Sequence, residues 1–418
     1  MKYKIIAIIL LFFSLFESNA QQSITLQQCY DWAKQNHPLQ EKSQILSTQS
    51  DWEIQALDAQ KLPKIDLEAQ ATYQSDVMVL PISLPNISIE SPDKDQYKAT
   101  LTVSQLIYNG DVIDTQKELK KKQLEAQQKE IEVQLHPLKL QINQLFFGIL
   151  LLQQKMEILQ KNIEQLQNKK IEIEKLIATG STYESAVEPI QVKILELTQN
   201  VVELNAQKLQ QFDQLSLILG QKIQANTSLD MPEVISPSTS PRSELELFEL
   251  QKATTDLQKD LLQKQTLPKI MAFGTGGYGK PGLNMLDNSF AEYYMAGVKI
   301  QWNVYDFQAN KKQRTAIALN KDLIDNQKKV FEWNQNNAVQ NYQSEIVKYH
   351  TLLQTDQEII QYRQKIVETA AKQLKHDLIT TSDYTAEINK LLEAEINQKT
   401  HQILLALAQS NYNTTLYE

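Results

Sequence analysis

With one cysteine, Cys29, in 418 residues, the chain has no intrachain disulfide. Only 10 glycines and 12 prolines punctuate it, so turns are sparse and elements long. Aromatic residues reach just 7%, while Gln, Lys, Glu, Leu and Ile recur over long stretches, a mixture suited to extended helices. No sign of charge dominates: the net charge is -8 with acids and bases interspersed, and no basic stripe points to nucleic acid as a partner. The five histidines, His37, His136, His350, His376 and His401, lack metal-ligand spacing. No Ser/His/Asp arrangement or carboxylate pair stands apart from ordinary helix charges, so neither an enzyme nor a cofactor is expected. The one long hydrophobic run, Ile5–Phe16, has about 12 residues, short of the ~20 that a spanning helix needs. Preceded by Lys2 and Lys4 and followed by Ser18-Asn19-Ala20, it reads as a secretory signal peptide over residues 1–20. Cys29 lies well past that cleavage site, which fits a small apolar helix residue rather than a lipid attachment point. No later segment reads as apolar enough for a transmembrane helix, leaving a periplasmic protein, a secreted one or an outer-membrane β-barrel.

What is present is a duplicated pattern. Residues 21–225 and 244–418 form two similar halves around an irregular connection at 226–243, which holds Pro232, Pro237 and Pro241. Each half runs helix, strand, loop, strand, very long helix, tight turn, helix. Leu62-Pro63-Lys64 and Leu267-Pro268-Lys269 open the first strands; Leu106-Ile107-Tyr108-Asn109 and Asn303-Val304-Tyr305-Asp306 close the second. From Tyr108 and Tyr305 onward the offset stays at 197 residues without a gap, the mark of an internal duplication.

Ile65–Gln74 alternates Ile65, Leu67, Ala69, Ala71 and Tyr73 with Asp66, Glu68, Gln70, Thr72 and Gln74. Ala296–Val304 alternates in the same way, and Ala99–Tyr108 and Ile270–Tyr278 do so less strictly. Period two with one apolar face is the pattern of a half-buried strand, and runs of about 10 residues suit a tilted bilayer crossing. Tyr73, Tyr293, Tyr294 and Trp302 are candidate interfacial aromatics. A heptad repeat through Leu152, Met156, Leu159, Ile163, Leu166, Lys170, Ile173 and Ile177, with one polar exception, continues after Gly180 through Val187, Ile190, Ile194, Leu197, Val201, Leu204, Lys208, Gln211, Leu215 and Ile218, predicting an antiparallel coiled-coil hairpin. The second half repeats it less cleanly. The long helix Asp111–Ala178 measures ~100 Å at 1.5 Å per residue. The two shorter helices Leu26–Lys61 and Glu184–Gly220, end to end, match it. The second half repeats this with Glu244–Gln265 and Asp383–Tyr417 against Gln308–Lys375, so an elongated rod is expected.

Four strands cannot close a barrel, and an open edge in lipid leaves backbone groups unpaired. The chain therefore requires an oligomer: two copies give a narrow barrel and three a wider one able to hold a lumen. On these residues the chain resembles the TolC family of outer-membrane efflux proteins. The stretch Ile24-Thr25-Leu26-Gln27-Gln28-Cys29-Tyr30-Asp31-Trp32-Ala33 to Asn36-His37-Pro38 is similar to that family's opening pattern. The junctions Val103–Gly110 and Ile300–Asp306 resemble its strand-to-helix motif. Thr179-Gly180-Ser181 and Ile379-Thr380-Thr381-Ser382-Asp383-Tyr384 resemble its helix-turn motifs.

The resemblance implies an α+β membrane protein forming a homotrimer: a 12-stranded barrel in the outer membrane of a Gram-negative bacterium above a coiled-coil periplasmic tunnel. It further implies opening of the tunnel by a periplasmic adaptor and an inner-membrane pump of RND or ABC type, in efflux or type I secretion. Adaptor docking would fall on Thr179, Gly180, Ser181, Thr380 and Thr381. Asp383 matches a tip aspartate of the family. Ile379 stands where some members have a basic gate residue, Ala386 replaces a second acidic one and Ala186 occupies the equivalent of Asp383 in the first half, which makes Asp377, Lys375 and Arg363 the substitute gate candidates. Aspartate is also a favoured helix cap, so cap and gate both stand for Asp383. Gly274-Thr275-Gly276-Gly277-Tyr278-Gly279 fits a dinucleotide fingerprint literally, but Lys280-Pro281-Gly282 follows instead of a helix, and strand glycines are the expectation. The competing function is a secreted or periplasmic coiled-coil scaffold, which has no use for four bilayer-length strands.

Overall fold

The computed structural model describes residues 23–78, 91–232 and 240–417. The expected leader, the centre of the first inter-strand loop and residues 233–239 of the Pro/Ser-rich connection lie outside them. The elements run α1 (Leu26–Asn36), α2 (Leu39–Ala59), β1 (Lys64–Tyr73), β2 (Asp95–Tyr108), α3 (Val112–Ala178), a 3-10 turn (Glu184–Ala186) and α4 (Glu188–Leu219). The second half gives α5 (Ser243–Lys264), β3 (Lys269–Lys280), β4 (Ala291–Gln301), α6 (Ala309–Lys375) and α7 (Thr381–Leu416). Two compact units form, each from both halves. One is all helix and takes residues up to Gln40, Ile131–Ser243 and from Val330 on; the other, with the sheet, takes Glu41–Glu130 and Glu244–Lys329.

The single first helix expected over Leu26–Lys61 is two. Thr25 caps α1 by a reciprocal box with Gln28, and the helix stops at His37 because the residue before Pro38 is pushed out of the helical region (its ψ is 135°). In the helical unit, Leu159, Leu166 and Ile173 of α3 are buried against Ile190, Ile194 and Leu197 of α4, as the heptad predicts. The same cluster takes in Ala370 of α6 and Tyr384, Ile388 and Leu392 of α7, so the two hairpins share one seam. Farther along α4 the buried positions become Phe212, Leu215 and Leu219 rather than Gln211 and Ile218. A 3.6-residue helix drifts against a 3.5 repeat, and here it turns to meet Phe146 and Phe147 of α3 and Leu26, Cys29 and Ala33 of α1.

One expectation needs correcting. An 18-residue window in α3 reaches a mean hydropathy of 1.2, enough for a spanning helix by composition. Half of that window is buried within the fold, and Ile142, Phe146, Phe147 and Ile149 are core residues, so its apolarity serves packing.

The sheet is antiparallel throughout, in the order β1-β2-β3-β4. Its registers place Leu67 opposite Leu101, Leu101 opposite Gly276, and Gly276 opposite Tyr294. One face therefore carries Ile65, Leu67, Leu101, Val103, Val298 and Ile300; the other carries Asp66, Glu68, Gln70, Thr102 and Lys299. The departures of β2 and β3 from strict alternation have local causes. A bulge at Ile107 breaks the pattern of β2, and glycines stand at apolar-face positions of β3. Ser104 is the last β2 residue before the polar-face positions turn apolar at Leu106, which pairs with Met271.

Candidate functional site

Two places differ from ordinary protein surface: the helix turns of the helical unit and the apolar face of the sheet.

The first turn ends α3 with a reciprocal C-terminal motif. Gly180 N–H donates to the Ile177 carbonyl at 2.9 Å and Ser181 N–H to Leu176 at 2.8 Å, with Gly180 at φ +72°. Nothing lies within 4 Å of a Cβ placed on Gly180, so backbone conformation and not crowding selects glycine there. Thr179 Oγ1 donates to Leu176 O at 3.0 Å and lies 3.0 Å from Ser181 Oγ. Tyr183 follows, 85% exposed.

The second turn repeats this geometry at the matching residues. Asp377 N–H donates to Leu374 O at 3.1 Å and Leu378 N–H to Gln373 O at 2.9 Å, with Asp377 at φ +55°. Asp377 thus occupies the left-handed position that Gly180 takes in the first half, one that Asp tolerates better than most residues. Lys375 closes α6, where a cation suits the free carbonyls of a helix end.

Asp383 is not the cap itself: Thr380 is, and Asp383 is its partner three residues on. Thr380 accepts from Asp383 N–H at 3.2 Å, while the Asp383 carboxylate accepts from Thr380 N–H at 3.0 Å and Thr380 Oγ1 at 2.7 Å. The Thr380 hydroxyl and backbone N–H hold the Asp383 carboxyl below the usual aspartate range. Thr381 is buried beneath it.

Asp383 borders an open groove of about 610 Å³ between α6 and α7, along with Tyr362, Ile366, Ile379, Glu387 and Lys390. Arg363 points to Glu387 at 3.4 Å, and Lys390 pairs with the same carboxylate at 2.7 Å. The structure therefore brings Asp383 and the Arg363–Glu387–Lys390 cluster to one groove, with Asp377 and Lys375 in the turn beyond it. Glu387 went unnoticed in sequence, although its spacing of four from Asp383 and three from Lys390 puts all three on one helix face.

On the sheet, Leu67 is 78% exposed, Val298 66% and Ile300 67%, and among the described residues β1 and β4 have no partner on their outer edges. Tyr73, Tyr294 and Trp302 are also exposed. Tyr293, expected among the interfacial aromatics, lies on the opposite face, where its ring stacks over the space left by Gly277. Adjacent residues of a strand cannot both face lipid. The glycine-rich stretch lies inside β3, hydrogen-bonded on both sides. Strand β4 stops at Gln301, short of the expected Val304, and Trp302 Nε1 donates to Thr266 O at 3.0 Å.

The strand-to-helix elbows match as the turns do. Gly110 and Asp111 are left-handed at φ 69° and 59°; so are Phe307 and Gln308 at φ 54° and 64°. Gln105 Nε2 donates to Lys61 O at 2.6 Å where Trp302 donates to Thr266 O in the second half.

Residues 30–229 match the family described as outer membrane efflux protein. The fold is similar to that of a membrane protein from Pseudomonas aeruginosa, at 13% identity and TM-score 0.66 over 96% of this chain and 90% of that one. It is similar to CusC, whose structures concern folding and transmembrane channel formation, at 13% identity and TM-score 0.66 over 97% and 96%. It is also similar to the outer membrane protein VceC of Vibrio cholerae, at 15% identity and TM-score 0.64 over 93% and 95%. No curated protein sequence matches the chain.

Proposed function

We propose that this chain, whose residues 30–229 match the outer membrane efflux protein family, is a channel of that kind, and that three copies close a 12-stranded barrel over a helical tunnel that exports solutes passively. Its place is the outer membrane and its role an efflux conduit. The observation that carries the finer reading is the sheet of one chain: an exposed apolar face backed by a polar one, with both edge strands open. Water penalises the first and lipid the second, so the chain is stable only as part of a closed barrel. The polar face, with Thr102 and Thr275 hydroxyls 3.0 Å apart, then lines a wet lumen. A coiled-coil scaffold leaves that sheet unexplained.

Association through the helices has its own support. Val192, Leu195, Val202 and Leu209 of α4 recur at heptad spacing on a side left exposed, apart from the seam already filled by Ile190, Ile194 and Leu197. The two halves, 21–225 and 244–418 about the connection 226–243, we read as a duplication, supported by the matched turns, elbows and side-chain bonds. The tip turns at Thr179–Ser181 and Thr380–Thr381 are the docking points for a periplasmic adaptor that links the channel to an inner-membrane pump. Asp383 and the Arg363–Glu387–Lys390 cluster form the gate surface, with Asp377 and Lys375 beside it.

Purified protein in a planar bilayer tests this reading. Discrete conductance steps are expected, and Asp383→Asn should alter cation block or conductance. An unchanged current–voltage response removes Asp383 from the gate; the absence of any conductance removes the conduit.

A further inference from the structure

The polar face of the sheet is unevenly charged. It comprises the positions in register with Asp66, Thr102 and Thr275, and its charged residues are Lys64, Asp66, Glu68, Lys98, Lys269 and Lys299. Lys64 and Asp66 neutralise each other at 2.8 Å. Glu68 is then the acid set against Lys98, Lys269 and Lys299, in a chain whose net charge is -8. All three lysines are exposed, and among the described residues none of them has a carboxylate partner. Lys98 instead stands over the Tyr293 ring, 6.0 Å from its centre. On the apolar face the strands carry charge only at the loop end, at Asp95, Lys280 and Glu292.

The same wall turns apolar along β3. Leu106 stands opposite Met271, which stands opposite Lys299. The Phe273 ring lies against Gly297, within 3.3 Å of where a Cβ would sit. Met295, 49% exposed, is the diagonal neighbour of Phe273. Lys98 faces Gly279, ten residues along β3 from Lys269, which is about 33 Å at 3.3 Å per residue. The apolar patch thus lies between two cationic ends.

We infer that this wall selects organic anions, solutes that carry a carboxylate, sulfonate or phosphate beside an aromatic or alkyl body. Lys98, Lys269 and Lys299 attract the anionic group, and the body passes over Leu106, Met271, Phe273 and Met295. The inference rests on the channel reading above, which makes this face the wall of a lumen, and it names the cargo class. Two physical points favour it. A lysine without a carboxylate partner leaves its field for the solute, and low-dielectric walls focus that field along a passage. At physiological ionic strength the field reaches about 8 Å, so the two cationic ends act separately and a solute is drawn at both. An apolar patch on a wet wall is in turn stabilised by whatever apolar surface covers it. A cation with the same body gains from the patch and is repelled at both ends.

The test is reversal potential and block of the full-length protein in a planar bilayer under a potassium chloride gradient, at low salt where wall charges are least screened. The three lysines are exposed, so replacing them leaves the packing of the chain intact. The chloride-to-potassium permeability ratio should be at least about fivefold higher in the native channel than in the triple variant Lys98→Glu, Lys269→Glu, Lys299→Glu. The triple arginine variant should keep the native ratio. Benzenesulfonate should block the native channel more strongly than phenyltrimethylammonium, and Phe273→Ser should weaken that block while leaving the permeability ratio in place. A ratio that the glutamate variant leaves unmoved overturns the inference and spares the conduit. Stronger block by phenyltrimethylammonium does the same. A native protein without conductance overturns both.

Discussion

Replacing Leu67 with Arg separates a lipid-facing strand from an ordinary exposed one. Leu67 lies mid-strand in β1, opposite Leu101, and 78% of its surface is uncovered by the chain. Were that surface in water, the substitution would change stability by no more than about 0.5 kcal/mol, as exposed sites do. Facing the bilayer midplane, an arginine costs about 2–4 kcal/mol. At 1.4 kcal/mol per decade, the folded-to-unfolded ratio falls roughly 30- to 700-fold. The neighbouring Glu68 faces the opposite side, so Glu68→Gln is the matched control and should stay within about 0.5 kcal/mol. Urea titration of protein folded into phospholipid vesicles, followed by tryptophan fluorescence, measures both. Equal midpoints for the two variants would refute the assignment of the apolar face to lipid, however well the family agrees.

Leu166 is fully buried in the seam shared by the two hairpins, so Leu166→Ala should cost about 2–5 kcal/mol in urea unfolding; a shift under 1 kcal/mol would mean that the seam is not packed as described. Burial raises the Glu395 carboxyl above the usual glutamate range, against an opposing hydrogen bond from Asn162 and the charge of Lys161. A carboxyl with a raised folded pKa favours folding below its unfolded pKa and loses that contribution as pH climbs through the folded one. Glu395→Gln should therefore gain stability over the native protein near neutrality and lose the advantage in acid, read from thermal midpoints between pH 4 and 8. For Asp383 the sign is reversed: its pKa is lowered, so its contribution is present above the unfolded pKa and disappears as pH falls through the folded one. Protection of the amides at the start of α7, taken relative to the intrinsic exchange rate at each pH, should fall in acid for the native protein and stay level in Asp383→Asn.

Much of this architecture is legible in residue order because it depends on local periodicity. The alternation of Ile65 to Tyr73 made β1 a strand with two unlike faces, and the heptad from Leu159 to Ile177 set the seam of α3. Legibility failed where a neighbour decides. Nothing near Tyr293 in sequence says that Gly277 clears room for its ring on the polar side, beyond its odd position next to Tyr294. Asp383 read as a cap, but the hydroxyl of Thr380 competes for that position and wins it, leaving the carboxylate to complete the box. Glu387 belongs with Arg363 across 24 residues and a chain reversal, a distance that helical spacing does not reach.

Residue order by itself determined the element types and the apolar stripes, since each follows from side chains two, three or four positions apart. Tertiary structure alone decided which stripes are filled and which remain open. The hairpins of the helical unit bury one another's leucines and isoleucines, while β1 and β4 end with bare edges and an uncovered greasy face. That difference is one of pairing in space, because a hydrogen-bond donor or an apolar side chain is satisfied only by what comes to lie against it.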